Sequence, residues 1–276
     1  VAIPNPAASQ KAQSAHSREP LESVAARRQD GELTHAVTET LAAEVPVAMQ
    51  YNARPYAVMM ATPADLNDFA YGFALTERII ACVSELTLAD TVWTEHGVAL
   101  EMLIPQQRLL ALQTRDRNLT GRTGCGLCGT ATLEAAIRPV RHVEQQGPRA
   151  DLATLREGMQ RLATLQPLND ASGAVHAAAL IAQDGSFTVR EDVGRHNAID
   201  KAVGAVMRAD LRPHTLLVTS RASYEVVHKA AEVGCRLVAA ISAPTSLALQ
   251  LAREAGITLV GWTRPPRLTV YCGTVS

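Results

Sequence analysis

Thr215-Leu216-Leu217-Val218-Thr219-Ser220-Arg221-Ala222-Ser223-Tyr224-Glu225-Val226-Val227-His228-Lys229-Ala230-Ala231-Glu232-Val233-Gly234-Cys235-Arg236-Leu237-Val238-Ala239-Ala240-Ile241 is the stretch that decides the fold. It reads as a short apolar strand over 215–219, a polar loop, a helix over 223–233 and a second apolar strand over 237–241. Gly234 stands where a helix C-cap is wanted. Working outward, the alternation continues. Residues 198–207 read as a helix before it; 246–255 read as a helix capped by Gly256 after it, with strands over 258–260 and 268–271. Strands separated by helices of this length imply right-handed crossovers and a largely parallel sheet covered on its faces. Further upstream, residues 152–165 are helical, and strands over 174–182 and 187–189 flank the hairpin turn Asp184-Gly185. Residues 151–276 are therefore expected to be an α/β layer domain.

The N-terminal part has a different texture. Residues 1–20 are rich in Pro, Ala, Ser and Gln, so a mobile tail is expected, and 1–31 are set apart as a disordered segment. Residues 32–120 form a smaller β-rich α+β domain, with strand-like runs at 34–37, 45–51 and 56–60 and a turn at Asn52-Ala53-Arg54-Pro55. Thr62-Pro63-Ala64-Asp65 predicts a helix start, with Thr62 as N-cap, Pro63 at the first position and Asp65 at the positive end. Leu66, Phe69, Ala70, Phe73 and Ile80 supply its core face. Strands over 92–94 and 98–104 form a hairpin around His96-Gly97, and 121–150 are a cysteine loop and linker.

Composition narrows the function classes. With 276 residues, 47% of them hydrophobic, the chain can bury a substantial core, yet only 4% are aromatic, so Ala, Val and Leu must do the packing. A net charge of -1 argues against a nucleic-acid-coating or polybasic membrane protein. Five cysteines without an even framework suit a reducing cytoplasm. Neither a signal-peptide h-region nor a bilayer-length apolar run is found, so a cytoplasmic protein without membrane or nucleic-acid partners is expected.

The chemistry centres on Gly121-Arg122-Thr123-Gly124-Cys125-Gly126-Leu127-Cys128-Gly129. The glycines leave the two thiols unshielded on a permissive backbone, and Arg115, Arg117 and Arg122 favour the thiolate that attacks sulfur or binds metal. A structural zinc would need a second close Cys or His pair, whereas Cys82, Cys235 and Cys272 are isolated. A thioredoxin-type pair would place the motif at a strand-to-helix junction, with an aromatic or Pro between the cysteines in place of Gly-Leu. No metal is assigned.

Two further regions are rich in binding groups. Ser220-Arg221-Ala222-Ser223, Ser242-Ala243-Pro244-Thr245-Ser246 and Trp262-Thr263-Arg264-Pro265-Pro266-Arg267 follow successive strands, where open α/β sheets bind ligands. Arginines and hydroxyls suit phosphates, and Trp262 could stack on a base; for the serine loops, ordinary helix capping accounts for the residues equally well. The charged junction from Arg190 to Lys201 offers Asp192, Arg195, His196 and Asn197 as a polar site.

Cys125-Gly126-Leu127-Cys128-Gly129, Glu191-Asp192-Val193-Gly194-Arg195-His196-Asn197-Ala198-Ile199-Asp200-Lys201 and Ser220-Arg221 together resemble the FdhD family of formate dehydrogenase accessory sulfurtransferases. Thr62-Pro63-Ala64-Asp65-Leu66 and the tail from Gly261 to Tyr271 are similar to that family too, although Glu77 is followed by Arg78 where the family usually has Gly. The resemblance implies a cytidine-deaminase-like α/β domain. It implies sulfur taken from a cysteine desulfurase and delivered to the molybdenum cofactor, Mo-bis-molybdopterin guanine dinucleotide, as bound substrate for formate dehydrogenase. Cys125 would carry the persulfide and Cys128 assist it. The guanine dinucleotide end would meet Trp262, Thr263, Arg264, Pro265, Pro266 and Arg267, with Arg195, His196, Asn197, Ser220 and Arg221 as further cofactor-binding candidates. Two bases suggest two equivalent pockets, hence a homodimer. A non-catalytic cofactor chaperone and a zinc-dependent deaminase are the alternatives; against the latter, no His-x-Glu followed by Pro-Cys-x-x-Cys occurs.

Overall fold

The computed structural model describes residues 18–116, 138–144, 151–264 and 267–275. Strands β1 (Leu21–Asp30) and β2 (Leu33–Ala42) pair antiparallel as a two-stranded ribbon. The ribbon corrects part of the expected tail: residues 21–30 are an ordered strand, fixed by pairing with β2 that no local pattern announces.

Strands β3 (Val45–Tyr51), β4 (Arg54–Ala61), β5 (Thr87–Thr94) and β6 (Gly97–Leu103) make a sheet of order β4-β3-β6-β5. In β3 the period-two pattern sends Val45, Val47, Met49 and Tyr51 inward. Helix α1 (Leu66–Thr76) connects the two halves of this sheet, and α2 (Gln106–Asp116), not anticipated as a helix, follows it. The start of α1 differs from the expectation. Asp65, at φ 52, precedes the first turn without capping it, and the Thr62 hydroxyl instead accepts from Val193 N at 3.1 Å. A long-range partner has taken the side chain that local reading assigned to the helix.

The second half contains α3 (Leu152–Thr164), α4 (Pro167–Ser172), β7 (His176–Ala182), β8 (Phe187–Asp192), α5 (Arg195–Arg208), β9 (Pro213–Val218), α6 (Tyr224–Glu232), β10 (Leu237–Ala240), α7 (Ser246–Ala255), β11 (Thr258–Arg264) and β12 (Arg267–Cys272). Its sheet has the order β12-β11-β10-β9-β7-β8. Strands β9, β10 and β11 are parallel, as the helix-strand alternation requires. Helices α5, α6 and α7 bury Ile199, Val203, Val226, Ala230 and Leu251 on one face, whereas α3 covers the other with Leu155, Met159 and Leu162.

One buried cluster runs from Val47, Met49 and Leu100 through α1 and α5 to Leu180 and Leu216, so both sheets share a core. Lys229 Nζ donates to both Asp200 carboxylate oxygens at 2.9 and 3.0 Å and to Thr76 Oγ1 at 2.9 Å, tying α6 to α5 and α1.

Candidate functional site at the sheet rim

Strand directions decide where the loops gather. Strand β8 is antiparallel to β7 and β7 antiparallel to β9, so β8, β9, β10 and β11 point the same way. Their carboxyl ends and the start of β7 lie along one rim, together with the N-termini of α5, α6 and α7. Arg195, His196, Ser220, Arg221, Trp262, Thr263, Arg264 and Arg267 all belong to this rim.

The charged junction divides into a scaffold and a working edge. Asp192 is fully buried; its Oδ2 lies 2.6 Å from Lys201 Nζ and accepts from Thr62 N at 3.0 Å. Its Oδ1 accepts from Gly194 N at 2.8 Å and Asn197 Nδ2 at 2.9 Å. Asn197 Nδ2 also donates to Met60 O at 2.8 Å, and Lys201 Nζ to Thr62 O at 2.9 Å. Every strong bonding direction of Asp192 is used in fastening α5 to the end of β4, so Asp192 and Asn197 hold the junction in place.

Arg195 and His196 are left facing the rim. His196 Nε2 stands 2.7 Å from Glu225 Oε2 in the first turn of α6. Burial pushes the Glu225 carboxyl up, but His196 and the charges of Arg195 and Lys229 outweigh it and hold the group below its ordinary value. Arg195 Nε is buried without a hydrogen-bond partner. His176, opposite Asp192 in the β7–β8 register, completes the group. Its imidazole is held below the usual value by burial and by the nearby Arg195 and His196. Sequence reading missed both His176 and Glu225; the only signal was topological, a strand start and a helix first turn brought to the same rim.

After β9, Ser220 is buried and donates its hydroxyl to Arg221 O at 3.0 Å, whereas the Arg221 side chain is exposed. Ser223 is the N-cap of α6, yet its hydroxyl caps nothing. At the end of β11, Trp262 adopts φ 55, a left-handed backbone uncommon for a bulky residue, held by its N donating to Ser242 O at 3.1 Å. Thr263 Oγ1 donates to Ala240 O at 2.9 Å, so the hydroxyl offered as a ligand group fastens β11 to β10. The Arg267 guanidinium lies 4.9 Å from the Trp262 ring centroid, and Arg264 is exposed. The expected loop over 262–267 is thus largely strand, the end of β11 and the start of β12.

Cys125, Cys128, Pro265 and Pro266 lie outside the described residues. Arg138 N donates to the Tyr224 hydroxyl at 2.8 Å and its Nη1 donates to Glu77 Oε2 at 3.0 Å. Arg78 Nη2 donates to Pro139 O at 2.9 Å, so this segment is anchored to the end of α1 and the start of α6. Of the described cysteines, Cys82 is exposed, Cys272 half-buried and Cys235 buried, where desolvation pushes its thiol up to about 12. Among the described residues, no group of three or more His, Cys, Asp or Glu could hold a metal ion, and no helix is long and apolar enough to cross a membrane.

The model of the FdhD/NarQ family matches residues 42–275. Sulfur carrier protein FdhD of Xanthomonas euvesicatoria pv. vesicatoria (strain 85-10) is 47% identical over 250 residues, which cover 89% of this chain and 88% of that one. The protein of the same name from Cupriavidus necator is 46% identical over 247 residues, covering 87% and 84%. The crystal structure of a candidate formate dehydrogenase accessory protein from Desulfotalea psychrophila superposes with a TM-score of 0.69 at 22% identity, over 92% of this chain and 97% of that one, and shares the fold. Matched by the family model over residues 42–275 and 47% identical to a relative over 89% of its length, the chain belongs to the FdhD/NarQ family.

Proposed function

We propose that this protein is a cytoplasmic sulfurtransferase that carries persulfide sulfur from a cysteine desulfurase to the molybdenum cofactor required by formate dehydrogenase. The observation that carries the reading is the rim itself. Arg195, His196, Arg221, Trp262, Arg264 and Arg267 gather at the carboxyl edge of one sheet, on a chain that also carries Cys125-Gly126-Leu127-Cys128. The relatives' name, sulfur carrier protein, supports the same chemistry. The parallel β9–β11 core with helices α5, α6 and α7 on one face supports a cytidine-deaminase-like layering.

In this reading the Cys125 thiolate attacks the sulfane sulfur of the desulfurase persulfide, the donor's S–S bond breaks, and the donor leaves as thiolate. Cys125 then holds the persulfide. Attack of the Cys128 thiolate on the Cys125 sulfur would form a Cys125–Cys128 disulfide and release hydrosulfide to the acceptor. The rim holds the guanine dinucleotide end of the cofactor, the substrate that receives the sulfur. A homodimer would supply one such rim for each of its two nucleotides.

The second reading, a chaperone that binds cofactor without chemistry, uses the same rim. Cys125→Ala separates the two: the proposal expects sulfur transfer to be lost while cofactor binding remains. Transfer unchanged in Cys125→Ala would overturn the assignment.

A further inference from the structure

Residues 138–144 form a strap that is tied down at both ends. At its start, Arg138 N donates to the Tyr224 hydroxyl, Arg138 Nη1 to Glu77 Oε2, and Arg78 Nη2 to Pro139 O. Farther along, Val143 N donates to Ala255 O at 2.8 Å and the Val143 side chain is buried. The strap therefore runs from the end of α1 and the start of α6 to the end of α7. It follows Cys125 and Cys128 in the sequence.

His228 sits among the anchors at the start of this strap. It lies one turn along α6 from Tyr224, is 5% exposed, and has its ring centroid 5.7 Å from that of Tyr224. Its Nε2 makes no hydrogen bond. Glu232 Oε1 is 3.7 Å away, beyond bonding distance, and that carboxylate already accepts both Nε and Nη2 of Arg78. A buried polar group without a partner costs free energy, and a buried charge without one costs more.

The surrounding charges decide what a proton would do there. Arg138 faces His228 from the strap, Arg78 and Glu77 from the end of α1, and Glu232 from its own helix. Burial first, and then the two guanidiniums, hold the imidazole below its ordinary value against the pull of Glu232 and Glu77. Glu77 is itself committed to Arg138 and Lys229. With the strap lifted, His228 meets water and loses Arg138, so the open form takes up the proton more readily than the closed one. Falling pH must then favour opening.

We propose that His228 is a proton-operated latch on the strap. Neutral, it packs against Tyr224 and leaves Glu232 to Arg78. Protonated, it competes with Arg78 for Glu232 and repels Arg138, and the start of the strap is released. The latch does not depend on the sulfur-transfer reading.

Hydrogen exchange on the full chain, followed by NMR and corrected for the intrinsic rate at each pH, tests this. An open form with an ordinary histidine value of ~6.5 gains up to about tenfold per pH unit below it, so protection of the Arg138 N–H should fall about threefold or more between pH ~7.5 and ~5.5. His228→Gln, which cannot ionise, should abolish the fall. His142→Gln, on the strap itself, should leave it in place. In the unmutated protein the His228 imidazole should titrate over the same pH range as the loss of protection. Flat protection across this range, an equal fall in folded His228→Gln, or a His228 titration that leaves Arg138 unchanged would overturn the latch.

Discussion

Gly72 of α1 and Gly204 of α5 meet backbone to backbone. A Cβ on Gly72 would lie 1.7 Å from Asp200 O, and one on Gly204 would lie 1.9 Å from Asp68 O. The crossing puts the helix that starts at the rim against the helix of the four-stranded sheet, and it closes the shared core. The neighbours are backbone atoms, which cannot swing aside as a side chain could. Gly72→Ala or Gly204→Ala should therefore destabilise by about 3 kcal/mol or more, the upper end for overpacking. Chemical denaturation checks this; a midpoint within error of the unmutated protein would show that the helices separate freely.

Asp192→Asn would leave the Lys201 ammonium buried with its counter-charge removed. Both side chains are fully buried and 2.6 Å apart, so the expected cost is about 3–5 kcal/mol. The same denaturation measurement serves, and a loss below about 1 kcal/mol would mean that water reaches the pair.

Stability should also depend on Glu77. Burial raises its carboxyl, but Lys229 and Arg138 outweigh this and bring it from 4.5 to about 2. A folded value below the unfolded one gives stability that is fully present above pH ~4.5 and lost as pH falls toward ~2. The shift corresponds to about 3 kcal/mol, order of magnitude only. Unfolding free energies of Glu77→Gln and the unmutated protein should differ at pH 7 and converge near pH 2. A gap that stays constant with pH would assign the effect to packing.

Much of this fold is legible in local pattern. Asp184-Gly185 is the hairpin turn, Gly256 at φ 72 closes α7, and the strands around Ser220 run parallel as the alternation requires. What local pattern does not contain is the partner. Thr62 looks like a helix cap until Val193 and Asp192 arrive from 130 residues away. Asp192 looks like a ligand group until Lys201, Thr62, Gly194 and Asn197 use its bonding capacity, and Asn197 Nδ2 is tied to Met60 as well. His176 and Glu225 have no motif of their own and join the site through strand order alone. Strand β1, mostly exposed, lacks the apolar alternation that marks a core strand and is fixed by its ladder with β2.

The proposed nucleotide site at the end of β11 is tested separately: Arg267 lies over the Trp262 ring and Arg264 is exposed. Each charge-assisted contact contributes roughly 1.5–3 kcal/mol, so losing one should weaken GDP about tenfold or more. Arg264→Ala is expected to do this without changing sulfur loading at Cys125. Unchanged GDP affinity in both Arg264→Ala and Arg267→Ala would make this segment structural and confine binding to the region of Arg195 and His196.

The central claim is sulfur transfer through Cys125, and peptide-mapped mass spectrometry after incubation with a cysteine desulfurase and cysteine tests it most directly. The account predicts one added sulfur atom on Cys125, abolished in Cys125→Ala and retained in Cys235→Ala, whose thiol is buried and pushed up to about 12. Added sulfur confined to Cys82 or Cys272 would contradict it.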